Sequence, residues 1–267
     1  MLSLSRNVRF CVDPLGGDSP TGTNNYAASP GGQGLCFFLE LGVRLRGALD
    51  PETGFVVNVT DIDNAVRQAI VPVVTDRVNN RLGRRRPVGV PQLIELLVLS
   101  QRLLQRRFKA ATLTQVTLHL TPYRALTLRT EDTLMAYFSE RFEFAAMHKL
   151  WNDRFSEEKN FEVFGKCANP AGHGHNYVIE VTVKVTNDQD IDMHGFEKVV
   201  YERLINLLDH KSLNVDIEHF KTVNPTMENI AKFSWDRLNG QLEPALLHDV
   251  TVWESDRTSC SYRGPDG

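Results

Sequence analysis

Three histidines in the second half of this 267-residue chain have the type and spacing of metal ligands. His173 and His175 lie two residues apart in an extended segment that leads into a predicted strand starting at Tyr177, so their side chains point to the same face. His148 ends the preceding predicted strand, which we expect to pair with this one. Three imidazoles and an open fourth position form the pattern of a catalytic zinc site. A His-x-His pair alone is also common among surface and turn histidines, so the spacing leaves both interpretations open.

Cys167, Asp209 and His210 could supply acid–base chemistry beside such a metal. Cys167 lies six residues before His173, where its thiolate could remove a proton, although a lone cysteine is more often an inert apolar residue. Asp209 and His210 are adjacent, and a carboxylate beside an imidazole can orient it for proton transfer. A polar helix end explains the same pair, so the residue types alone do not decide between the two.

Glu254 is a candidate ligand-binding carboxylate. It shares a predicted strand face with Val250 and Val252. A carboxylate with apolar neighbours favours a pocket position over the alternative, an exposed strand glutamate.

The composition narrows the class of protein. The chain is 42% hydrophobic and 24% charged with a formal net charge of -3, so it can bury a core but has no overall positive field for nucleic acid or an anionic membrane. No window approaches the roughly 18 unbroken apolar residues of a membrane span, and residues 1–9 lack the apolar segment of a secretory signal. The four cysteines form no Cys-x-x-Cys pair, which is typical of free thiols in a reducing compartment. We therefore expect a cytoplasmic protein without nucleic-acid or membrane partners.

One short segment is strongly basic. Residues 81–87 read Arg-Leu-Gly-Arg-Arg-Arg-Pro, and clustered guanidinium groups bind phosphates well. Short basic runs beside glycine and proline are more often solvated loops, and no aromatic residues are interleaved here. We expect a solvated loop.

The chain contains an internal repeat. Three pairs of segments match, namely 30–45 with 170–185 at an offset of 140, 61–70 with 195–204 at an offset of 134, and 116–121 with 248–254 at an offset near 133. A duplication fixes the architecture more firmly than local propensity does. We therefore predict two domains, at residues 1–133 and 134–267.

Each copy reads as strand, strand, two helices and two further strands. In the second copy the strands are predicted at 137–147, 177–186, 248–254 and 258–263, and the helices at 194–208 and 226–238. Paired strands around consecutive helices predict an α+β domain, with a four-stranded antiparallel sheet and two helices on one face.

Several ordered segments resemble the signature of the 6-pyruvoyltetrahydropterin synthase family. They are the string Phe-Gly-Lys-Cys-Ala-Asn-Pro-Ala-Gly-His-Gly-His-Asn-Tyr at 164–177, the Phe-x-Ala-x-His element at 144–148, and the segments at 208–214, 225–229 and 252–256. The resemblance covers nearly all of residues 137–264. It implies a T-fold, here in two tandem copies, whose copies assemble as a homo-oligomeric barrel. It also implies that zinc is held by His148, His173 and His175.

The activity implied by the resemblance is conversion of 7,8-dihydroneopterin triphosphate to 6-pyruvoyltetrahydropterin with release of triphosphate. In that role Cys167 is the base, and Asp209 orients His210 for proton exchange with the substrate. The resemblance also places three residues around the small-molecule pterin, namely Glu254 as the anchor of the ring with Thr226 and Glu228 beside it. Thr226 follows Pro225 and can equally cap the next helix.

Two alternatives to this activity stay open. Related enzymes that make 6-carboxytetrahydropterin tend to have three residues between the cysteine and the first histidine, whereas this chain has five, at 168–172. The spacing favours the pyruvoyl product. The second alternative is a non-catalytic pterin-binding protein.

The first half lacks the candidate groups at the matching positions. The offsets place Val8 at the position of His148, Gln33 at His173, Leu35 at His175, Ala27 at Cys167, Thr75 and Asp76 at Asp209 and His210, and Thr121 at Glu254. We therefore expect a structural first domain and, in the oligomer, active second halves that meet each other.

Overall fold

The computed structural model divides the chain into two compact units. It describes residues 1–14, 22–32, 34–186 and 190–265, so Gln33 lies outside the described residues. Unit 1 comprises Met1–Phe138 with Val185–Asp190, and unit 2 comprises Ser139–Lys184 with Ile191–Gly267. The predicted domain boundary at 133/134 stays a prediction. Among the described residues, no helix is long and apolar enough to cross a membrane.

Unit 1 is built on an antiparallel sheet. Its strands are β1 (Leu2–Val12), β2 (Phe37–Gly47), β3 (Ala111–Thr121) and β4 (Arg124–Arg129), paired in that order. The strand β5 (Asp132–His148) follows β4, and its residues up to Phe138 belong to unit 1. Alternate residues of β1 and β2 are buried, which gives the sheet one core face.

The described part of unit 1 has three helices rather than the two that the sequence predicted. They are α1 (Val59–Ala69), α2 (Val71–Gly83) and α3 (Val90–Gln105). Asn58 caps α1 by accepting a hydrogen bond from the Thr60 amide. The helix α2 begins directly after Ile70 with Pro72 in its first turn, where the missing N–H of proline is tolerated. The proline therefore marks the boundary between α1 and α2.

Unit 2 pairs its strands as an antiparallel sheet with one short parallel addition. The remainder of β5 is followed by β6 (His173–Thr186), β8 (Leu246–Ser255) and β9 (Thr258–Tyr262), in the order β5-β6-β8-β9, while β7 (Lys211–Ser212) pairs parallel to β5. The predicted strands of this copy are confirmed, and β6 begins earlier than predicted so that it includes His173 and His175.

The helices of unit 2 also follow the predicted pattern. The predicted helix 194–208 is found as α5 (Met193–Val200), a π-helical turn at Tyr201–Ile205 and α6 (Asn206–Leu208), and the predicted helix 226–238 is α8 (Met227–Leu238). Two shorter helices were not predicted, namely α4 (Glu157–Phe164) and α7 (Leu213–Asp216). The core is formed by the buried face of β6 and by α8, with Tyr177, Val181 and Ile230 fully buried.

The two units share their strand registers. Val43 pairs with Val116 in unit 1, and Val181 pairs with Val250 in unit 2. Each ladder has one register shift, after Arg44 in β2 and after Thr182 in β6, and matching the two shifts gives an offset of 138 between β2 and β6 and of 134 between β3 and β8. The offset of 140 predicted for the first pair is corrected, because an alternating strand keeps its face when it is shifted by two residues and the sequence cannot distinguish the two registers.

Candidate metal centre

The structure brings the three candidate ligand histidines together. The ligand atoms of His148, His173 and His175 all lie within 4.8 Å of one another. Nε2 of His148 lies 3.0 Å from Nε2 of His173. His148 is buried and the other two are half-buried. The cluster can therefore hold a metal ion.

Strand alternation and one glycine produce this arrangement. In β5, Phe144, Ala146 and His148 lie on the buried face. Gly172 precedes β6 with φ +71°, and a Cβ there would lie 3.0 Å from the His148 carbonyl oxygen. A glycine at 172 thus lets the chain pass close to the end of β5 before the strand with the two other histidines begins.

A backbone carbonyl fixes the tautomer of His148. Nδ1 of His148 lies 2.7 Å from the Pro225 carbonyl oxygen, which can only accept a hydrogen bond. Nδ1 therefore carries the proton, and the lone pair of Nε2 is available to a metal. Burial lowers the pKa of His148, which keeps the imidazole in the neutral form that binds metals.

The ring nitrogens of His173 and His175 are also compatible with a bound cation. Nε2 of His175 is buried and has no hydrogen-bond partner among the described residues. An unpaired buried polar atom is costly, and a metal ion at this position would satisfy it. Burial also lowers the pKa of His173. These observations on the chain's own atoms support a resident metal.

Cys167 and Glu254 lie beside the histidine cluster. Cys167 belongs to a 3-10 turn at Gly165–Ala168, and its carbonyl oxygen accepts a hydrogen bond from the Leu150 amide at 2.9 Å. Burial raises the pKa of the Cys167 thiol, and the Glu254 carboxylate raises it further. The same carboxylate acts electrostatically on His148 and His173.

Glu254 owes its position to a β-bulge. The pairing of β8 with β9 shifts between Trp253 and Ser255, so Glu254 is the extra residue of the strand. Bulges redirect side chains and occur next to active sites.

Asp209 and His210 form a carboxylate–imidazole contact at the edge of β5. Oδ2 of Asp209 lies 2.8 Å from Nδ1 of His210, and Oδ1 accepts a hydrogen bond from the Ala145 amide at 2.9 Å. The Ala145 amide, and then His210, lower the pKa of Asp209. The His210 side chain is 83% exposed, and an open cavity of about 510 Å³ is lined by both His210 and His175.

Thr226 and Glu228 have contacts of a different kind. Thr226 is the N-cap of α8, and its hydroxyl accepts a hydrogen bond from the Asn229 amide at 3.4 Å. The Glu228 carboxylate raises the pKa of Cys260 in β9, after the larger effect of burial. The structure shows no contact of either side chain with the three histidines in the part of the chain that it describes.

Two groups near the metal ligands were missed by the sequence analysis. The Pro225 carbonyl carries no side-chain signal, so its role could not be found from residue types. Tyr177 could have been found, because it follows His175 by two residues and therefore faces the same side of β6. Its hydroxyl lies 3.5 Å from Nδ1 of His148, and burial raises its pKa.

Three histidines with a half-buried thiol and a carboxylate beside them define a protein that can hold a metal ion next to acid–base groups. The family model described as 6-pyruvoyl tetrahydropterin synthase matches residues 137–265. A 6-pyruvoyl tetrahydrobiopterin synthase of Drosophila melanogaster is 39% identical over 140 residues, which cover 49% of this chain and 81% of that protein. The Homo sapiens protein of the same name is 38% identical over 133 residues, which cover 48% and 92%. The chain therefore belongs to the 6-pyruvoyl tetrahydropterin synthase family. A solved structure of the Caenorhabditis elegans 6-pyruvoyl tetrahydropterin synthase is 31% identical, covers 49% of this chain and 96% of its own, and has a TM-score of 0.46.

Proposed function

We propose that unit 2 is a zinc-dependent 6-pyruvoyltetrahydropterin synthase, which converts 7,8-dihydroneopterin triphosphate to 6-pyruvoyltetrahydropterin and releases triphosphate. The observation that carries the proposal is the cluster of His148, His173 and His175 beside Cys167, within a segment similar to proteins of that name. The imidazoles of His148, His173 and His175 are the ligands. Bound there, zinc would act as a Lewis acid that makes protons on the substrate side chain easier to remove.

Cys167 is the proposed base. A base must be a thiolate, yet burial and the Glu254 carboxylate both raise the pKa of this thiol. The thiol is therefore protonated at neutral pH unless a positive charge nearby opposes these two effects. A cation on the three histidines supplies such a charge, which links metal binding to the protonation state of Cys167.

Asp209 and His210 are the proposed second proton-transfer pair. The Ala145 amide fixes the carboxylate, and the carboxylate in turn orients the imidazole through Nδ1. Nε2 of His210 is left free to exchange a proton with a ligand. Because the His210 side chain is largely exposed, we propose that a second copy of the chain completes the site around it.

The pterin ring is bound by Glu254 in this proposal. Its carboxylate can accept two hydrogen bonds from the amino group and a ring N–H of the pterin. Thr226 and Glu228 lie at the start of α8, directly after the carbonyl that holds His148, and contribute to the same pocket.

Unit 1 serves as a scaffold in this proposal. The registers shared by β2, β3 and β4 with β6, β8 and β9 support two tandem T-folds of common origin. Copies of the chain then assemble as a barrel, and closure removes the exposed strand edges.

Formation of 6-carboxytetrahydropterin is the second candidate activity, since the metal cluster alone does not select the product. The five residues between Cys167 and His173 favour the pyruvoyl product. A pterin-binding protein without turnover is the other possibility that the experiment must separate.

The test is an assay of zinc-loaded protein with 7,8-dihydroneopterin triphosphate, without a reductase or nicotinamide, in which the product is identified by mass. We expect the pyruvoyl product, its loss in Cys167→Ala with retained zinc, and its loss after chelation with recovery on zinc addition. A carboxy product would select the second candidate. Bound pterin without triphosphate release would identify a binding protein.

A further inference from the structure

A cavity lined by arginines lies in unit 1, and none of its lining residues belongs to the proposed active site. Its volume is about 610 Å³, and it is formed by α2, α3 and the loop between them. The arginines that line it are Arg77, Arg81, Arg84, Arg86 and Arg102. The first three are spaced by four and then three residues, so they follow one face at the end of α2.

The positive charge of this cavity is not neutralised by ion pairs. Among the described residues, no carboxylate forms an ion pair with any of these five arginines. Glu95 is the one acidic residue that lines the cavity in the described chain. Residues 71–110 hold nine Lys+Arg and two Asp+Glu, so the surroundings are also basic.

The loop that presents the arginines is held in place by its own hydrogen bonds. The amides of Arg84 and Arg86 donate to the Arg81 carbonyl oxygen at 3.1 and 2.9 Å. Nε of Arg81 donates to the Pro87 carbonyl oxygen at 2.7 Å. Arg85 adopts φ +53°, a left-handed conformation that residues with a Cβ rarely adopt. The backbone that positions Arg84 and Arg86 is therefore ordered before any ligand binds.

We propose that this cavity binds a small polyphosphate anion, such as inorganic triphosphate or the phosphates of a nucleotide. Guanidinium groups pair with phosphate oxygens through two parallel hydrogen bonds, and several of them here converge on one concave space. The volume is in the range of small-molecule sites. No aromatic side chain lines the cavity in the described residues, so it lacks the stacking platforms with which proteins bind single-stranded nucleic acid. The proposal does not depend on the activity of unit 2.

The test is calorimetric titration of the full-length, zinc-loaded protein with inorganic triphosphate at physiological salt. Arg84→Gln/Arg86→Gln removes two cavity arginines, and Arg106→Gln/Arg107→Gln removes the same charge from exposed positions outside the cavity. We expect the first pair to weaken binding by about 100-fold, because a charged hydrogen bond typically accounts for about tenfold in affinity. The control pair should change binding by less than about threefold, as expected for screened surface charges.

A third variant separates charge from geometry. Arg84→Lys/Arg86→Lys keeps the charge but loses the paired hydrogen bonds, so we expect an affinity between those of the wild type and the glutamine variant. Circular dichroism spectra that match the wild type establish that each variant folds.

Three results would overturn the proposal. The first is triphosphate binding that Arg84→Gln/Arg86→Gln leaves unchanged, which would place the bound anion elsewhere, including the histidine site. The second is equal weakening by the cavity pair and the control pair, which would indicate diffuse electrostatic attraction. The third is a short single-stranded oligonucleotide that binds more tightly than triphosphate and displaces it from the wild type.

Discussion

The hairpin β3–β4 of unit 1 and the hairpin β8–β9 of unit 2 both have a β-bulge at the matching position, but the side chains at the bulge differ. Thr121 pairs with Arg124 and Ser255 pairs with Thr258, and a bulge precedes each pair. By this register Glu254 corresponds to Leu120, not to Thr121 as the sequence offset predicted. The bulge that redirects the Glu254 carboxylate is therefore also present in unit 1, where its residue is apolar. Both hairpins therefore have this backbone feature, and the residue at the bulge is a carboxylate in unit 2 but a leucine in unit 1.

The strands β2 and β6 differ where the metal ligands occur. Their register places Leu35 at the position of His173 and Phe37 at the position of His175. The strand β2 begins only at Phe37, and Leu35 before it is 96% exposed. At these positions unit 1 therefore has no imidazoles, and β2 does not extend to the position that matches His173.

The segments after the first helices differ in backbone as well as in residue type. Asp209 follows the end of α6 in an extended conformation, which lets its carboxylate reach the Ala145 amide. Thr75 and Asp76, at the predicted matching positions, lie inside α2, and Asp76 accepts a hydrogen bond from Asn80 on the same helix. Introducing Asp at position 75 and His at position 76 would therefore not reproduce the contact between Asp209 and His210.

The largest difference between substitutions in the two units is expected at the histidine cluster of unit 2. His175→Ala removes a buried nitrogen that faces the cluster, and we expect metal affinity to fall by more than about 100-fold, since even loss of an outer-shell partner costs about 10- to 100-fold. Turnover should be lost together with the metal. The matched change Phe37→Ala in unit 1 should leave metal content unchanged. Metal analysis after dialysis measures both variants, and a His175→Ala protein with full metal content would contradict the assignment.

The cluster of three histidines could largely be predicted from the sequence, whereas the contacts around it could not. The alternation of residues in a strand places His173 and His175 on one face, and that relation needs no tertiary information. The contact of His148 with the Pro225 carbonyl joins residues 77 positions apart and depends on how α8 packs. The bulge at Glu254 is likewise a property of the strand pairing, which local sequence does not reveal.

The contact between Asp209 and His210 should give the next largest effect. Asp209→Asn removes the charge that orients His210, and we expect kcat to fall by about 100-fold, the lower range for acid–base groups. Asp76→Asn in α2 is the matched control and should leave kcat within about twofold, as a surface substitution away from any site. Steady-state kinetics at saturating substrate measures both, and equal effects would exclude a proton-transfer role for Asp209.

The same variant has a pH signature in stability. The pKa of Asp209 is lowered in the folded state, so its stabilising contribution is present above the unfolded pKa of about 3.9 and is lost as pH falls through the folded value. Asp209→Asn should therefore lose less stability than the wild type on acidification across that window. Urea unfolding midpoints of both proteins at neutral and acidic pH give the comparison. Parallel pH profiles would show that the contacts of the Asp209 carboxylate do not contribute to the free energy of unfolding.

The Glu254 carboxylate should affect both substrate binding and the pKa of the Cys167 thiol. Glu254→Gln keeps the shape of the side chain but loses the charge, and we expect KM to rise by about 10-fold or more, as for loss of a charged hydrogen bond. The pKa of Cys167 should fall in the metal-free protein, because the Glu254 carboxylate raises it. Titration of the thiolate absorbance measures this shift. Leu120→Gln, the matched variant at the bulge of unit 1, should change neither KM nor the pKa of Cys167. An unchanged pKa of Cys167 in Glu254→Gln would contradict the placement of Glu254 beside this thiol.

The smallest effect concerns one helix cap in each unit. Thr226→Ala removes the N-cap of α8 and Asn58→Ala removes that of α1, and each should lower the free energy of unfolding by about 1 kcal/mol. Urea denaturation measures both. If Thr226 acts only as a cap, KM stays unchanged in Thr226→Ala, as it should in Asn58→Ala. A rise in KM confined to Thr226→Ala would show that this hydroxyl also contacts the pterin. Since the Pro225 carbonyl that contacts His148 lies directly before this cap, any loss of metal in Thr226→Ala would instead show that the cap supports the histidine cluster through the start of α8.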